Sequence, residues 1–334
     1  MSRAAVTGRR TLAGLARAAR YAGLIVAFGL ATSSFLAAAE KVPRVVATTK
    51  PIHSIVSAVL GDAGKAELLI TGMTSPHAYA LKPSDASLLN AADMFVRVSE
   101  QVEPFTARIA KALPAQVEVV TLAETEGLKL LQVRFGGHFD DHSHDAENEL
   151  SADDLSVDGH VWLDPENGKL MARRLAGVFA ARWPEHADYF MANAERLADE
   201  IDTASQEIKA QLESVHGVPF VVFHDAYHYF EERFGLKSAG AIAINPEVPP
   251  GARRLSALRN RIKELGGVCA FAEPQFSTRV LDAVTLDTGA RSGVLDPIGV
   301  DLEPGPSLYV RLLKDLAGGF ASCLGKDPRG ASKG

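Results

Sequence analysis

Short apolar runs alternate with longer amphipathic stretches from residue 43 onward. Runs of strand length stand at 45–48, 67–70, 94–98 and 118–121, and again at 220–223, 240–244, 268–272 and 293–295. Helix-like stretches lie between them at 53–60, 83–90, 103–113, 252–265, 278–287 and 307–320. Strands that alternate with helices are typical of parallel sheets covered by helices, so the pattern predicts an α/β protein with two similar lobes.

One long apolar stripe separates the two sets of strands. Apolar side chains recur there every three or four residues, which places them on one face of a helix. The stripe consists of Phe190, Ala194, Leu197, Ile201, Ala204, Ile208 and Leu212. Pro184 suits a helix start and Gly217 a helix stop. We therefore expect an N-terminal lobe at 40–183, a linking helix at 184–216 that is about 45 Å long, and a C-terminal lobe at 217–334.

The composition agrees with this prediction. A chain of 334 residues has material for about two domains. Its hydrophobic content of 47%, with only 7% aromatic residues, suits a packed α/β protein. Acidic residues outnumber basic ones by 41 to 35, and no sustained basic run occurs after the first forty residues. We therefore expect no nucleic-acid partner.

The first forty residues are a different kind of sequence. Several arginines precede an apolar stretch from Tyr21 to Ala31, and a run of alanines ends at Ala39. This pattern predicts a secretory signal peptide at 1–39 that is cleaved after Ala39. An uncleaved anchor is the alternative, but the apolar core of about 11 residues is shorter than the roughly 20 that span a bilayer. No stable membrane insertion is expected after cleavage.

The chain contains two cysteines, Cys269 and Cys323. In an exported protein, oxidising conditions favour their pairing, and two buried thiols are the alternative. A bridge across this interval would stabilise the fold by roughly 4 kcal/mol if it is unstrained. Neither is a candidate metal ligand, because a thiolate outside the cytoplasm is prone to oxidation.

Four metal-competent side chains follow strand-like runs or lie within a few residues of one. They are His77, His160, His224 and Asp296. In open parallel sheets, ligands collect beyond the carboxyl ends of the strands, so side chains from different strands can meet there. Three imidazoles and one carboxylate form a typical zinc site. The sequence therefore predicts a metal centre built from these four residues.

Each of the four also has a purely structural alternative. His224 closes the run 218–223 but could cap the next helix. His160 lies in an apolar segment, where a core histidine is equally possible. His77 lies in a connecting loop, where exposed histidines are ordinary. Asp296 precedes Pro297, so it could simply serve a turn.

Other candidates are weaker. His228 has the spacing of a helical zinc pair with the third histidine, but Asp225 replaces the glutamate of H-E-x-x-H, so we expect His228 on a helix face. Asp164 could orient an imidazole or cap a helix. Glu273 could likewise accept a hydrogen bond from an imidazole or serve a turn. His53 is expected in the first helix.

One segment has no hydrophobic periodicity. It runs from Gly136 to Asp145, contains His138, His142 and His144 among acidic residues, and is predicted to be a mobile surface loop. Such a tract favours weak, exposed metal capture. A merely solvated loop is the alternative.

Six segments resemble, in order, those of the ZnuA family, the periplasmic zinc-binding proteins of bacterial zinc-uptake ABC transporters. The matching segments are 49–53 (TKPIH), 75–85 (SPHAYALKPSD), 159–165 (GHVWLDP), 223–236 (FHDAYHYFEERFGL), 271–276 (FAEPQF) and 295–299 (LDPIG). They span nearly the whole chain after the predicted signal peptide. The resemblance implies two (β/α) lobes joined by a long helix, with zinc in the cleft between them.

The resemblance also assigns individual residues. The family's imidazole ligands fall on His77, His160 and His224, and its carboxylate falls on Asp296. Its disulfide falls on Cys269 and Cys323. Its acidic histidine loop falls on 138–145. Pro76 stands where some relatives have an acidic residue, so the fourth ligand is expected to be Asp296 or water.

The function implied is that of a periplasmic solute-binding protein of an ABC importer, which captures Zn²⁺ and delivers it to the cognate membrane permease. Such a protein is expected to be a monomer and not an enzyme. Three imidazoles favour zinc, nickel or copper over manganese. A manganese-binding relative or a surface adhesin is the nearer alternative. A zinc hydrolase with Asp296 or Glu273 as base is the other, but the chain has no H-E-x-x-H motif.

Overall fold

The computed structural model describes residues 42–134, 156–243 and 246–325. The predicted signal peptide and the segment with His138, His142 and His144 lie outside these residues. The described chain forms two four-stranded parallel sheets with helices between the strands, which confirms the predicted fold class. The strands are β1 (Arg44–Ala47), β2 (Lys65–Leu68), β3 (Met94–Arg97), β4 (Glu118–Thr121), β5 (Phe220–His224), β6 (Ser238–Ala243), β7 (Cys269–Ala272) and β8 (Arg291–Val294).

Both sheets have the same topology. The first has the strand order β2-β1-β3-β4 and the second the order β6-β5-β7-β8. In each sheet the second strand lies on one side of the first strand and the third strand lies on the other. The order in which strands are added therefore changes side between β1 and β3 and between β5 and β7. A crevice opens beyond the carboxyl ends of the strands at such a point. Because His224 is the last residue of β5, it lies at the crevice of the second sheet.

Helices bury one apolar cluster that both sheets share. The α-helices of the described chain are α1 (Lys50–Leu60), α2 (Pro83–Asn90), α3 (Thr106–Ala112), α4 (Pro165–Arg182), α5 (Ala187–Leu212), α6 (His228–Phe234), α7 (Ala252–Glu264), α8 (Arg279–Thr285) and α9 (Leu308–Leu324). The shared cluster, here called the central core, contains Val45 from the first sheet, Phe220 from the second and Ile201 from α5. Val46 and Val221 point the other way, into smaller clusters on the outer faces. This alternation is the two-residue period of a strand.

Helix α5 joins the two sheets. Its 26 residues correspond to a length of about 39 Å. The predicted stripe is its buried face, and the helix packs along α1, α4 and α9. Short 3₁₀ turns at Pro184–His186 and Glu213–Val215 flank it, so the α-helix itself is shorter than the predicted segment.

Three helices differ from the predicted pattern. Helix α1 begins at Lys50 rather than His53, because Pro51 is tolerated in a first turn, where its missing N–H has no partner to lose. Helix α4 is not among the stretches that the apolar pattern predicts, but it is the helix that Asp164 was expected to cap; it starts where the Asp164 carboxylate accepts the Glu166 N–H at 2.9 Å. Helix α6 is not among the stretches that the apolar pattern predicts; the sequence indicates it only through the spacing of His224 and His228.

Cys269 of β7 and Cys323 of α9 form a disulfide, as predicted. The bridge joins residues 54 positions apart and ties the last helix to the second sheet. No helix in the described ranges has the length and hydropathy to cross a membrane.

The contact between α4 and α9 leaves no room for a side chain at Gly168. A Cβ built there would lie 2.2 Å from Oη of Tyr309. Tyr309 is fully buried and its hydroxyl donates to the Trp162 carbonyl at 2.6 Å, so the ring cannot simply move away. We expect Gly168→Ala to lower the free energy of unfolding by about 1–3 kcal/mol, as overpacking does. Chemical denaturation of the zinc-free protein measures this change.

Gly177 supplies the matched control on the same helix. A Cβ at Gly177 meets nothing within 4 Å, and the residue is exposed. Gly177→Ala should therefore stabilise the protein by about 1 kcal/mol through helix propensity alone. Equal effects of the two substitutions would contradict the packing described here.

Candidate metal centre

Three imidazoles from separate segments of the chain meet at one point. One nitrogen of each of His77, His160 and His224 lies within 4.8 Å of the other two. Their ring centroids are 5.4, 5.6 and 5.3 Å apart. Within the part of the chain that the structure describes, no other group of three His, Cys, Asp or Glu side chains has a geometry that could hold a metal ion. The structure thus brings the three predicted histidines together.

His224 is fixed by a carboxylate from the neighbouring strand. Its Nδ1 lies 2.6 Å from Oε1 of Glu273, the residue that follows β7. Both side chains are buried, at 6% and 1% exposure. A carboxylate partner makes Nδ1 the protonated nitrogen and leaves Nε2 free to bind a metal. Of the two alternatives for Glu273, the structure supports the imidazole acceptor.

His160 is fixed in the same way, by a residue that sequence reasoning missed. Oδ1 of Asp158 accepts hydrogen bonds from the His160 backbone N–H at 3.0 Å and from Nδ1 at 2.7 Å. Both residues are buried. Gly159, between them, packs so closely that a Cβ there would lie 2.5 Å from a methyl carbon of Val102. The only available signal in the sequence is the short spacing Asp-Gly-His before an apolar segment.

His77 lies in a 3₁₀ turn, Pro76–Ala78, in the connection after β2. The Ser75 hydroxyl accepts the His77 backbone N–H at 3.2 Å and thereby caps this turn. Pro76 is buried and helps to fix the chain direction. The turn therefore presents a half-buried imidazole to the other two rings.

The distance between His160 and His224 fits a tetrahedral ion. Their Nε2 atoms are 3.4 Å apart. Two nitrogen ligands of zinc at 2.0–2.1 Å in tetrahedral geometry would lie about 3.3–3.4 Å apart. Two of the three rings are therefore already at the separation that zinc requires, with Nε2 as the atom that each offers.

Burial and neighbouring charges affect the three rings differently. Burial, together with the nearby His160 and His224 rings, lowers the pKa of His77 to about 2, so this imidazole stays neutral. Burial also lowers the pKa of His224, but the Glu273 carboxylate outweighs that effect, and the pKa lies above its ordinary value. A metal that binds His224 must therefore displace a proton more often there than at His77.

Helix α6 holds the segment that carries His160. The buried Tyr229 hydroxyl accepts the Leu131 N–H at 3.0 Å and donates to the Asp158 carbonyl at 2.7 Å. Asp158 in turn orients His160. The Arg134 guanidinium bridges Asp225, which follows His224, and Glu231, with Nε–Oδ2 and Nη1–Oε2 distances of 2.9 and 2.8 Å. The two halves of the site are thus linked through α6.

A cavity of 480 Å³ lies beside the three imidazoles. Gln101, Arg134 and Arg254 also line it. The imidazoles therefore face a space that is large enough for a hydrated ion, although the rings themselves are mostly buried.

Asp296, the predicted carboxylate ligand, is not part of the three-histidine group. Its Oδ1 accepts N–H groups of Ile298 and Gly299 at 3.1 and 2.9 Å and the Gln275 side-chain amide at 2.9 Å. Its Oδ2 accepts the Val300 N–H. The three backbone contacts are those of a turn, and Gln275 comes from the segment after β7.

The weaker candidates have structural roles in the described chain. Asp164 caps α4 and receives both Nε and Nη2 of Arg233 at 2.8 Å, so it does not orient His160. His228 is the first residue of α6, and His53 lies in α1 with its Nε2 3.3 Å from the Ala66 carbonyl.

Comparison with known proteins identifies a matching family. The family model described as "Zinc-uptake complex component A periplasmic" (ZnuA) matches residues 45–323. The High-affinity zinc uptake system protein ZnuA of Brucella suis biovar 1 is 39% identical over 306 residues, which cover 84% of this chain and 92% of that protein. The protein of the same name from Paracoccus denitrificans is 36% identical over 325 residues, covering 92% and 99%.

Solved structures show the same fold. A crystal structure of ZnuA aligns with a TM-score of 0.71 at 24% sequence identity, covering 85% of this chain and all of that chain (100%). At this identity the match supports the architecture of two sheets and a linking helix, and the site itself depends on the distances given above.

The two carboxylates that orient the imidazoles lead to a prediction. Asp158→Asn and Glu273→Gln keep the side-chain shape but remove the charge that holds each Nδ1–H. We expect each substitution to weaken zinc binding 10- to 100-fold, as loss of such a partner typically does. Competition with a chromophoric chelator measures the affinity.

Asp199→Asn, on the exposed face of α5, is the matched control and should leave the affinity unchanged. If Asp158→Asn and Glu273→Gln bound zinc as well as this control, the orienting role of the carboxylates would be wrong.

Proposed function

The chain belongs to the ZnuA family of zinc-uptake components, and on that premise we propose that His77, His160 and His224 bind one zinc ion as transported cargo. The family match confirms the resemblance found in the sequence. The single observation that carries the ligand assignment is the convergence of three imidazoles, with two Nε2 atoms 3.4 Å apart. Water or Asp296 would complete the tetrahedron.

The donor set favours zinc over manganese. Manganese prefers carboxylate and water oxygens, whereas imidazole suits zinc, copper and nickel. The nearest carboxylates, Asp158 and Glu273, each hold an imidazole Nδ1. Zinc is selected over copper by tetrahedral geometry and availability rather than by intrinsic affinity.

The proposed role is that of the solute-binding component of an ABC importer. In this role the chain is exported by its signal peptide, cleaved after Ala39, acts as a periplasmic monomer and delivers zinc to the cognate membrane permease. It binds its cargo without chemical turnover. Its lobes are proposed to lie at 40–183 and 217–334, and the histidines at 138, 142 and 144 to assist capture.

Calorimetry tests the ligand assignment directly. The mature protein with its disulfide is titrated with zinc and, separately, with manganese. We expect one zinc per chain and weaker or no manganese binding, since three nitrogen donors favour zinc. His77→Ala, His160→Ala and His224→Ala should each reduce zinc affinity by at least tenfold, because each removes one metal–nitrogen bond.

His216→Ala is the control, because His216 is exposed and precedes β5, whereas His224 is the last residue of that strand. Tighter binding of manganese than zinc would favour a manganese transporter. Unchanged zinc affinity in His224→Ala would remove His224 from the site.

Zinc affinity should also depend on pH in a defined way. The pKa of His224 is raised, mainly by Glu273 acting against burial, whereas His77 stays neutral with a pKa of about 2. Protons therefore compete with zinc at His224 as the pH falls from 8 to 6. We expect the affinity to fall by up to about tenfold per pH unit, the limit for displacement of one proton.

Calorimetry in buffers of different ionisation enthalpy counts the released protons. In Glu273→Gln, the same decline should begin at lower pH, because the charge that raises the pKa of His224 is gone. An affinity that does not change between pH 8 and 6 would contradict imidazole ligation.

A further inference from the structure

The loop 295–302, here called the rear loop, is built around the carboxylate of Asp296. Oδ1 accepts two consecutive backbone N–H groups, from Ile298 and Gly299, and Oδ2 accepts the next, from Val300. Gly299 has a φ of 70°, in the left-handed region that favours glycine. A carboxylate can accept several backbone N–H groups at once and so fixes the course of the chain around it. Asp296 therefore determines the shape of this loop.

A lysine from the helix that follows β1, in the first sheet, binds the same loop. Nζ of Lys50, the first residue of α1, donates to the carbonyls of Gly299 at 3.1 Å, Val300, and Leu302 at 2.8 Å. An ammonium group has three donors, so these contacts use all of them. Gly299 and Val300, whose carbonyls bind Lys50, are also residues whose N–H groups the Asp296 carboxylate accepts. Lys50 thus attaches the rear loop to the lobe that contains β1.

The rear loop lies against the metal centre. Pro297 and Ile298 line a narrow space together with His77, His160 and His224. Trp162, whose ring centroid is 5.3 Å from that of His160, donates its Nε1–H to the Pro297 carbonyl at 2.9 Å.

On the other side, Tyr227 donates its hydroxyl proton to the Leu295 carbonyl at 3.2 Å. Tyr227 is three residues beyond His224 and fully buried. The rear loop therefore contacts Trp162, two residues after His160, and Tyr227, three residues after His224.

We propose that Asp296 and Lys50 are positioning residues for the metal centre: Asp296 shapes the rear loop, and Lys50 fixes it so that it sets the separation of His160 and His224. Asp296 acts without binding the ion, and water is the fourth ligand. This inference rests on the proposed function, because it assumes that the three imidazoles bind zinc. It assigns the fourth ligand position and adds a residue, Lys50, that is far from the ligands in sequence.

Hydrogen exchange separates a positioning role from ligation. In the mature wild-type protein, the amides of residues 298–300 should be protected both without and with saturating zinc, because the carboxylate stays on the loop. If Asp296 turned to the metal, these amides would lose their acceptors, and zinc would speed up their exchange. Faster exchange on zinc addition would therefore overturn the proposal.

Zinc affinity of variants tests the partnership. We expect Asp296→Asn and Lys50→Met each to weaken zinc binding at least tenfold. The fold loss of zinc affinity in the double variant should be much smaller than the product of the two single losses, because both residues act through one loop. Asp199→Asn and Lys209→Met, on exposed positions of α5, are the controls. A Lys50→Met affinity within twofold of wild type would also overturn the proposal.

Two safeguards keep these outcomes distinct. Cooperative thermal unfolding of each zinc-free variant shows that it is folded, and if Asp296→Asn is not, the exchange experiment and Lys50→Met still decide. A wild-type protein that binds no zinc, or a His224→Ala variant that binds it normally, would instead refute the proposed function.

Discussion

Two buried carboxylates, Asp158 and Glu273, fix the rings on which the site depends. Each takes the Nδ1–H of one imidazole, and both carboxylates are buried. Burying a carboxylate in this way is costly unless a positive charge compensates for it. A divalent ion on the two Nε2 atoms supplies that charge through the rings. The fold thus places two buried carboxylates behind the rings, and this negative charge favours a cation at the point where the imidazoles meet.

The sequence predicted the framework well because its signals were local. The strands show apolar runs, the linking helix shows a regular stripe, and parallel strands place His224 at a crevice whatever the details of packing. Asp158 escaped prediction because an acidic residue two positions before a histidine has no distinctive pattern. Helix α6 was absent from the apolar pattern and was indicated only by the spacing of His224 and His228. For Asp296, a ligand and a turn residue before proline look the same in sequence, and the structure adds the contacts of the turn.

The way the lobes are joined limits how zinc capture changes the molecule. Lobes that move as rigid bodies usually meet at small, polar interfaces. Here the central core runs without a break from Val45 beside the first sheet, through Ile201 of α5, to Phe220 of the second. Polar contacts add to it, since Arg233 of α6 binds Asp164 through two nitrogens. A large rotation would break this packing. Zinc is therefore expected to act on the local segments around the ligands, and a permease would recognise those segments rather than a change in overall shape.

A transport protein must release its cargo as well as bind it, and the number of protein ligands affects both steps. A fourth protein ligand would enclose the ion, as in structural zinc sites, whereas three imidazoles leave one position for exchange. That position is compatible with the 480 Å³ cavity beside the three rings. The orienting carboxylates keep the rings in place while the fourth position exchanges, so affinity need not come from enclosure. In the proposed site, Asp296 stays with three backbone N–H groups and Gln275, so rigid ligands would be combined with an open coordination position, and a transport protein needs both properties.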